Sequence, residues 1–155
     1  MQGVTKENTD RLLHEDRFMQ IDFNEVPEVE DLCSVPEGQH LCTIAEVRES
    51  TSPAGHVRWG LRWEVASGEW SGRTACWDSL HFSERGLARA RFVLRVLGFA
   101  ADGSLRLDGK ELLGRQAVVT VVPEEREDPL TGVKRRAHRV PFTGYSPAPV
   151  GKGQG

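Results

Sequence analysis

At 155 residues, with 38% hydrophobic content, 16 glycines and 8 prolines, the chain is sized for one turn-rich domain with tails. No apolar run is long enough to span a membrane and the first residues lack the apolar centre of a secretory signal, so a cytoplasmic protein with no membrane role is expected. The net charge of −3 excludes a uniformly basic nucleic-acid binder, but it is uneven: residues 1–31 hold nine acids against three bases, and the remainder is net +3.

Residues 1–34 therefore read as an acidic N-terminal extension, expected to be partly disordered, in which Phe18 and Phe23 could pin one apolar patch onto the domain. The domain proper is expected over 35–145. A turn at 35–38 leads into a first strand at 39–48, whose two alternating faces are both mixed, as in a strand that bends around a barrel. A loop is expected at 49–55. Next comes the most regular stretch of the chain, where Val57, Trp59, Leu61, Trp63 and Val65 alternate with His56, Arg58, Gly60, Arg62 and Glu64. A side-chain period of two puts the first set on an apolar, core-facing side and both arginines on the other. A turn at 66–72 returns the chain into a third strand near 73–80.

The one convincing helical pattern lies between Ser83, a fair N-cap, and Gly98, a fair stop. Leu87, Ala90, Val93, Leu94 and Leu97 share one face, and Arg85, Arg89, Arg91 and Arg95 lie outside it. Phe92 and Val96 suggest a second, smaller contact, with the Phe18–Phe23 patch as its partner. A short helical turn at 108–113 precedes a nearly continuous apolar strand at 115–122. A charged loop at 123–132, a fifth strand at 133–142 and a flexible tail over 146–155 complete the chain. The order β-β-β-α-β-β, all-β with one helix, is that of an OB-like Greek-key barrel of five strands.

The chain also resembles a family of small phage and prophage proteins thought to be OB-type single-stranded-DNA-binding proteins. Phe18-Met-Gln-Ile-Asp-Phe23, Val35-Pro-Glu-Gly38, Ser67-Gly-Glu-Trp-Ser-Gly-Arg73, Trp77-Asp-Ser-Leu80, Arg95-Val-Leu-Gly98 and Glu111-Leu-Leu-Gly-Arg115 carry the resemblance, with a basic fifth strand and Tyr145 after them. It implies single-stranded DNA binding in phage DNA replication or recombination, with replication or recombination proteins, or further copies of the chain, as partners. One departure is that the acidic segment is N-terminal, whereas many bacterial single-strand binders end in an acidic tail.

Single strands are bound by cations along a groove and flat rings on which bases stack. The candidate nucleic-acid-binding cations are Arg58, Arg62, Arg73, Lys134, Arg135, Arg136 and Arg139, and the candidate rings are Trp70, Phe142 and Tyr145. Trp59 and Trp63 belong to the core, whereas Trp77 and Phe82 fit either place. Arg58 and Arg62 also fit an ordinary solvated sheet face, but three adjacent cations at 134–136 repel one another without an anionic partner. Catalysis is not expected: no phosphate loop, GxSxG or HExxH occurs, and Asp78 with His81 reads better as strand-end polarity than as a base and its orienter. Cys33, Cys42 and Cys76 are odd in number and lack paired spacing, which leaves no disulfide framework, metal or cofactor to expect. The acids at 124–128 read as a solvated loop. The rival class is a protein-interaction or self-assembly module on the same barrel, with Phe92, Val96 and the acidic extension as its surfaces; a small enzyme with an unseen site is a third.

Overall fold

The computed structural model describes residues 18–24 and 28–149. Its strands are β1 (Val29–Asp31), β2 (Gly38–Thr51), β3 (Val57–Val65), β4 (Thr74–His81), β5 (Gln116–Glu127), β6 (Lys134–Arg139) and β7 (Tyr145–Pro147). The one α-helix among the described residues, α1 (Leu87–Val96), falls between β4 and β5, followed by a 3-10 turn, Gly109–Leu112. The described residues are thus mostly β with one helix, but they form seven strands where five were expected.

Hydrogen bonding orders the strands β1-β6-β5-β2-β3-β4, with β7 on β5. β5 is the hinge of this arrangement. One edge pairs with β2, while the other takes β7 along Ala117–Val119 and then β6 along Val122–Glu127. β4 and β6 approach within 8 Å between Cα atoms, but among the described residues no ladder joins them, and the hydrogen-bonded sheet is open.

Several boundaries differ from expectation. β2 runs on through Glu49, Ser50 and Thr51, which face Trp59, Arg58 and Val57 across a tight hairpin. β5 continues through Pro123 to Glu127, in what read as a loop. Its β2 partner ends at Val121, and a strand with an unpaired edge tolerates a proline that donates nothing. β7 takes up the start of the expected tail because Tyr145 and Pro147 register against Val119 and Ala117. β1 lies within the expected extension. The rest of that extension up to residue 17, and the last six residues of the tail, lie outside the described residues.

The mixed faces of β2 have a local cause. The β2–β3 register shifts between Ile44 and Glu46, so Ala45 is the extra residue of a bulge. Cys42 and Ile44 point into the core before it, and Val47 packs against the core after it. From β3, Trp59, Leu61, Trp63 and Val65 are buried as the alternation predicts, but Val57, expected on the same side, is 42% exposed at the strand start. Ala90, Val93, Leu94 and Leu97 cover them from the helical side, but Leu87 is 52% exposed and only borders a groove. Ser83 does not cap α1: Gly86 holds the cap position, and the Ser83 side chain closes the preceding turn by accepting from Gly86 N at 3.2 Å.

A polar connection crosses the core. Trp63 Nε1 donates to Tyr145 Oη at 3.1 Å, and Tyr145 Oη donates to Asp78 Oδ2. Arg89 closes the chain with Nη2 2.7 Å from the same carboxylate oxygen, while also donating to the carbonyls of Ser79 and Val140. The network ties β3, β4, α1 and β7 together. Burial and then the Asp78 charge push the Tyr145 hydroxyl well above its ordinary range. Burial alone would pull Arg89 down, but its bonds to Asp78 outweigh that and leave it raised.

Candidate nucleic-acid interface

The residues singled out in the sequence separate into two groups and some strays. The first group lies on the polar face of β2, β3 and β4. Arg58 and Arg62 project from it, four strand positions and about 13 Å apart by strand rise. Gly60 sits between them. From β4, opposite Arg62 in the register, Trp77 reaches across Gly60, with its Cε3 3.9 Å from where a glycine Cβ would stand. Arg48 from β2, which faces Gly60, places its guanidinium 4.6 Å from the Trp77 ring centroid. Trp77 remains 41% exposed, a large ring in the middle of an otherwise polar face.

The cations of this face are not equally available. Arg62 is held by Glu46 at 3.2 Å and by Glu64 at 3.4 Å. Arg48 shares Glu46, at 2.7 Å, but its side chain is largely exposed. The hydrogen bond from Arg48, followed by that from Arg62, holds the Glu46 carboxyl below its ordinary range. Among the described residues, Arg58 donates only to the neutral Ser50 hydroxyl, at 3.2 Å. Arg48 and Trp77 were not among the expected site residues. The bulge at Ala45 hid the first by shifting the phase of β2, and the second could have been found from its opposite parity to the apolar Leu80, which is buried.

The second group surrounds residues 30–35. β1 lies parallel to β6 with Glu30 beside Arg135 and Asp31 beside Arg136. The Arg135–Glu30 and Arg136–Asp31 ion pairs measure 2.9 and 3.1 Å. Arg73 Nη1 reaches the Ser34 carbonyl at 3.4 Å, and its guanidinium lies 5.5 Å from the Trp70 ring centroid. The anionic partner that the run at 134–136 required is therefore the chain's own acidic segment. Lys134 is exposed at the start of β6. Arg139 turns instead to Glu124, at 3.6 Å, which also takes Arg126.

The rings need correction. Tyr145 is 4% exposed and locked between Trp63 and Asp78, so it cannot stack on a base from solvent. Trp70 is partly buried against the core rather than standing free in its turn. Phe142 is exposed, but it stacks on Phe92 at 6.3 Å, which makes it the second contact of the helix. Of the patch expected to partner that contact, Phe18 is 84% and Phe23 67% exposed.

Asp78 is engaged by Arg89 and Tyr145, while His81 is exposed at the strand end. Among the described residues no cluster of three His, Cys, Asp or Glu side chains could hold a metal ion, and no helix is long and apolar enough to cross a membrane. A polar hollow beside Glu49, Arg106 and Lys110 includes Asp108 and Glu111, but both carboxylates are spent capping the 3-10 turn. No protein-family model matches the chain, and no curated protein matches it.

Proposed function

We propose that the protein binds single-stranded DNA, without sequence preference and without a chemical step, on the polar face of β2, β3 and β4. The observation that carries this reading is Trp77, 41% exposed on that face with Arg48 against its ring and Arg62 opposite it in the register. An exposed indole offers a π-face to any base, and neighbouring guanidinium groups offer cations to the backbone. The strand order supports an OB-type reading: β2, β3 and β4 stand as the first three strands, β5 lies beside the first, and β6 lies beside β5. The helix falls between the third and fourth, and the third and fifth strands approach one another. A role in phage or prophage DNA replication or recombination follows from the resemblance noted in the sequence.

Titration of the protein with oligo-dT, followed by tryptophan fluorescence at two salt concentrations, tests the reading. Quenching is expected, with affinity falling at a log–log slope of about −0.7 per phosphate neutralised, and duplex DNA should bind more weakly. Absence of single-strand binding at low salt would refute it.

One observation favours an interaction module instead. A groove of about 670 Å³ between α1, β3 and the 101–107 link is lined by Val57, Trp59, Phe82, Leu87, Leu94 and Leu105. Concentration-dependent association that is indifferent to salt and abolished by Leu87→Glu would support that alternative.

A further inference from the structure

The second group of cations is more than a set of surface ion pairs. Over six residues the segment 30–35 presents one acceptor after another to the surrounding domain. The Glu30 carboxylate meets Arg135, the Asp31 carboxylate meets Arg136, the Ser34 carbonyl meets Arg73, and the Val35 carbonyl meets His138 Nε2 at 2.7 Å. Two carboxylates of one short segment thus meet two arginines that project to opposite sides of β6, along the edge that β1 covers, and Arg73 lies further along the segment with Trp70 beside it. A polyanion laid along that edge would place phosphates where these carboxylates stand.

We propose that Arg73, Arg135 and Arg136 form a second binding strip for an extended polyanion, which the chain's own residues 30–34 occupy in the free protein and which a bound single strand takes over. The proposal rests on the single-strand reading above and adds to it a site and a competitor. The contacts suit displacement. The ion pairs are about half exposed, and such pairs contribute little to stability and weaken further in salt. β1 is only three residues long and sits at the edge of the sheet, so releasing it leaves the core closed. A polyanion arriving at the strip replaces two carboxylates with phosphates and releases counterions as it does so.

Cys33 makes the displacement measurable in the unmodified protein. It lies between the two anchored ends of the segment, and burial together with the Asp31 carboxylate pushes its thiol up. Cys42 and Cys76 are buried in the core, the first with its thiol pushed up to about 12. Reaction with a disulfide reagent at mildly alkaline pH therefore reads Cys33. The rate should rise several-fold when the full chain is saturated with oligo-dT. In parallel, the Glu30→Gln/Asp31→Asn variant should bind oligo-dT about three- to tenfold more tightly, since a site masked in most molecules loses affinity in proportion to its open fraction. The Glu84→Gln/Asp102→Asn variant, which removes two charges elsewhere, should gain less than twofold.

A Cys33 rate that stays level or falls on saturation overturns the proposal, as does an equal gain in both double variants. The two readings separate through Trp77→Ala. If that change abolishes binding and Cys33 stays covered in the wild type, the sheet face stands and the strip falls. If binding persists in Trp77→Ala and Cys33 is uncovered, the strip stands and the sheet face falls. Absence of oligo-dT binding by the wild type and by Glu30→Gln/Asp31→Asn removes both.

Discussion

Trp63 and Tyr145 are 82 positions apart in the chain, yet the indole Nε1–H of one donates to the hydroxyl oxygen of the other at 3.1 Å, inside the core. The same hydroxyl passes its own proton toward Asp78. Tyr145→Phe keeps the ring and its packing but leaves a buried indole N–H without an acceptor and a carboxylate with one donor fewer. The expected loss of stability is about 1–3 kcal/mol, read from urea denaturation. Affinity for oligo-dT should not change. A stable variant with weakened DNA binding would instead return Tyr145 to the surface role first expected of it.

Alkaline pH should unfold the protein early. Burial pushes the Cys42 thiol from its ordinary 9.0 to about 12, raises Cys76 further, and raises the Tyr145 hydroxyl as well. All three groups hold their protons more tightly in the folded state than in the unfolded one. Their contribution is complete below pH 9 and declines as pH rises, because the unfolded chain then binds fewer protons. Each such group adds a slope of about −1.4 kcal/mol per pH unit once its unfolded form has titrated. Urea midpoints should therefore drop between pH 8 and pH 10.5, and less steeply in Cys42→Val. A flat profile would contradict the buried, neutral state of these groups.

The turn from β4 into α1 depends on one close approach. A Cβ at Gly86 would overlap the His81 carbonyl oxygen and backbone, which cannot move aside as a flexible side chain could. Gly86→Ala should cost about 1–3 kcal/mol, the range for forced overpacking. Gly60→Ala is the contrast, since the nearest atoms to its Cβ stand 3.8 Å away. Thermal denaturation of the two variants should show a clear drop for the first and little change for the second.

What the sequence revealed and what it concealed follow from the range of the interactions. The alternation of Trp59, Leu61, Trp63 and Val65 and the helical spacing of Ala90, Val93 and Leu94 are local signals, and all of these residues are buried. Arg89 was placed outside the apolar helical face because periodicity cannot see Asp78 on another element, which draws it inward. Tyr145 was misplaced for the same reason: beside a basic strand it looks like a stacking ring, and its partners lie far away in sequence. β1 and β7 are three residues each, too short to show any period, and they exist only through pairing with β6 and β5. The face of β2 that bears Arg48 could not be read through the bulge at Ala45. The repulsion within the run at 134–136 did signal an anionic partner, and the intramolecular partners found there are Glu30 and Asp31.

Among all these tests, Trp77→Ala bears most directly on the proposed interface. The ring is exposed and contributes little to the core, so circular dichroism and the melting temperature should stay close to those of the wild type. Loss of a base-stacking ring costs about 1–3 kcal/mol. The oligo-dT dissociation constant, read by anisotropy at fixed low salt, should therefore rise at least fivefold. A folded Trp77→Ala protein that binds oligo-dT as tightly as the wild type would contradict the assignment of this sheet face as the site.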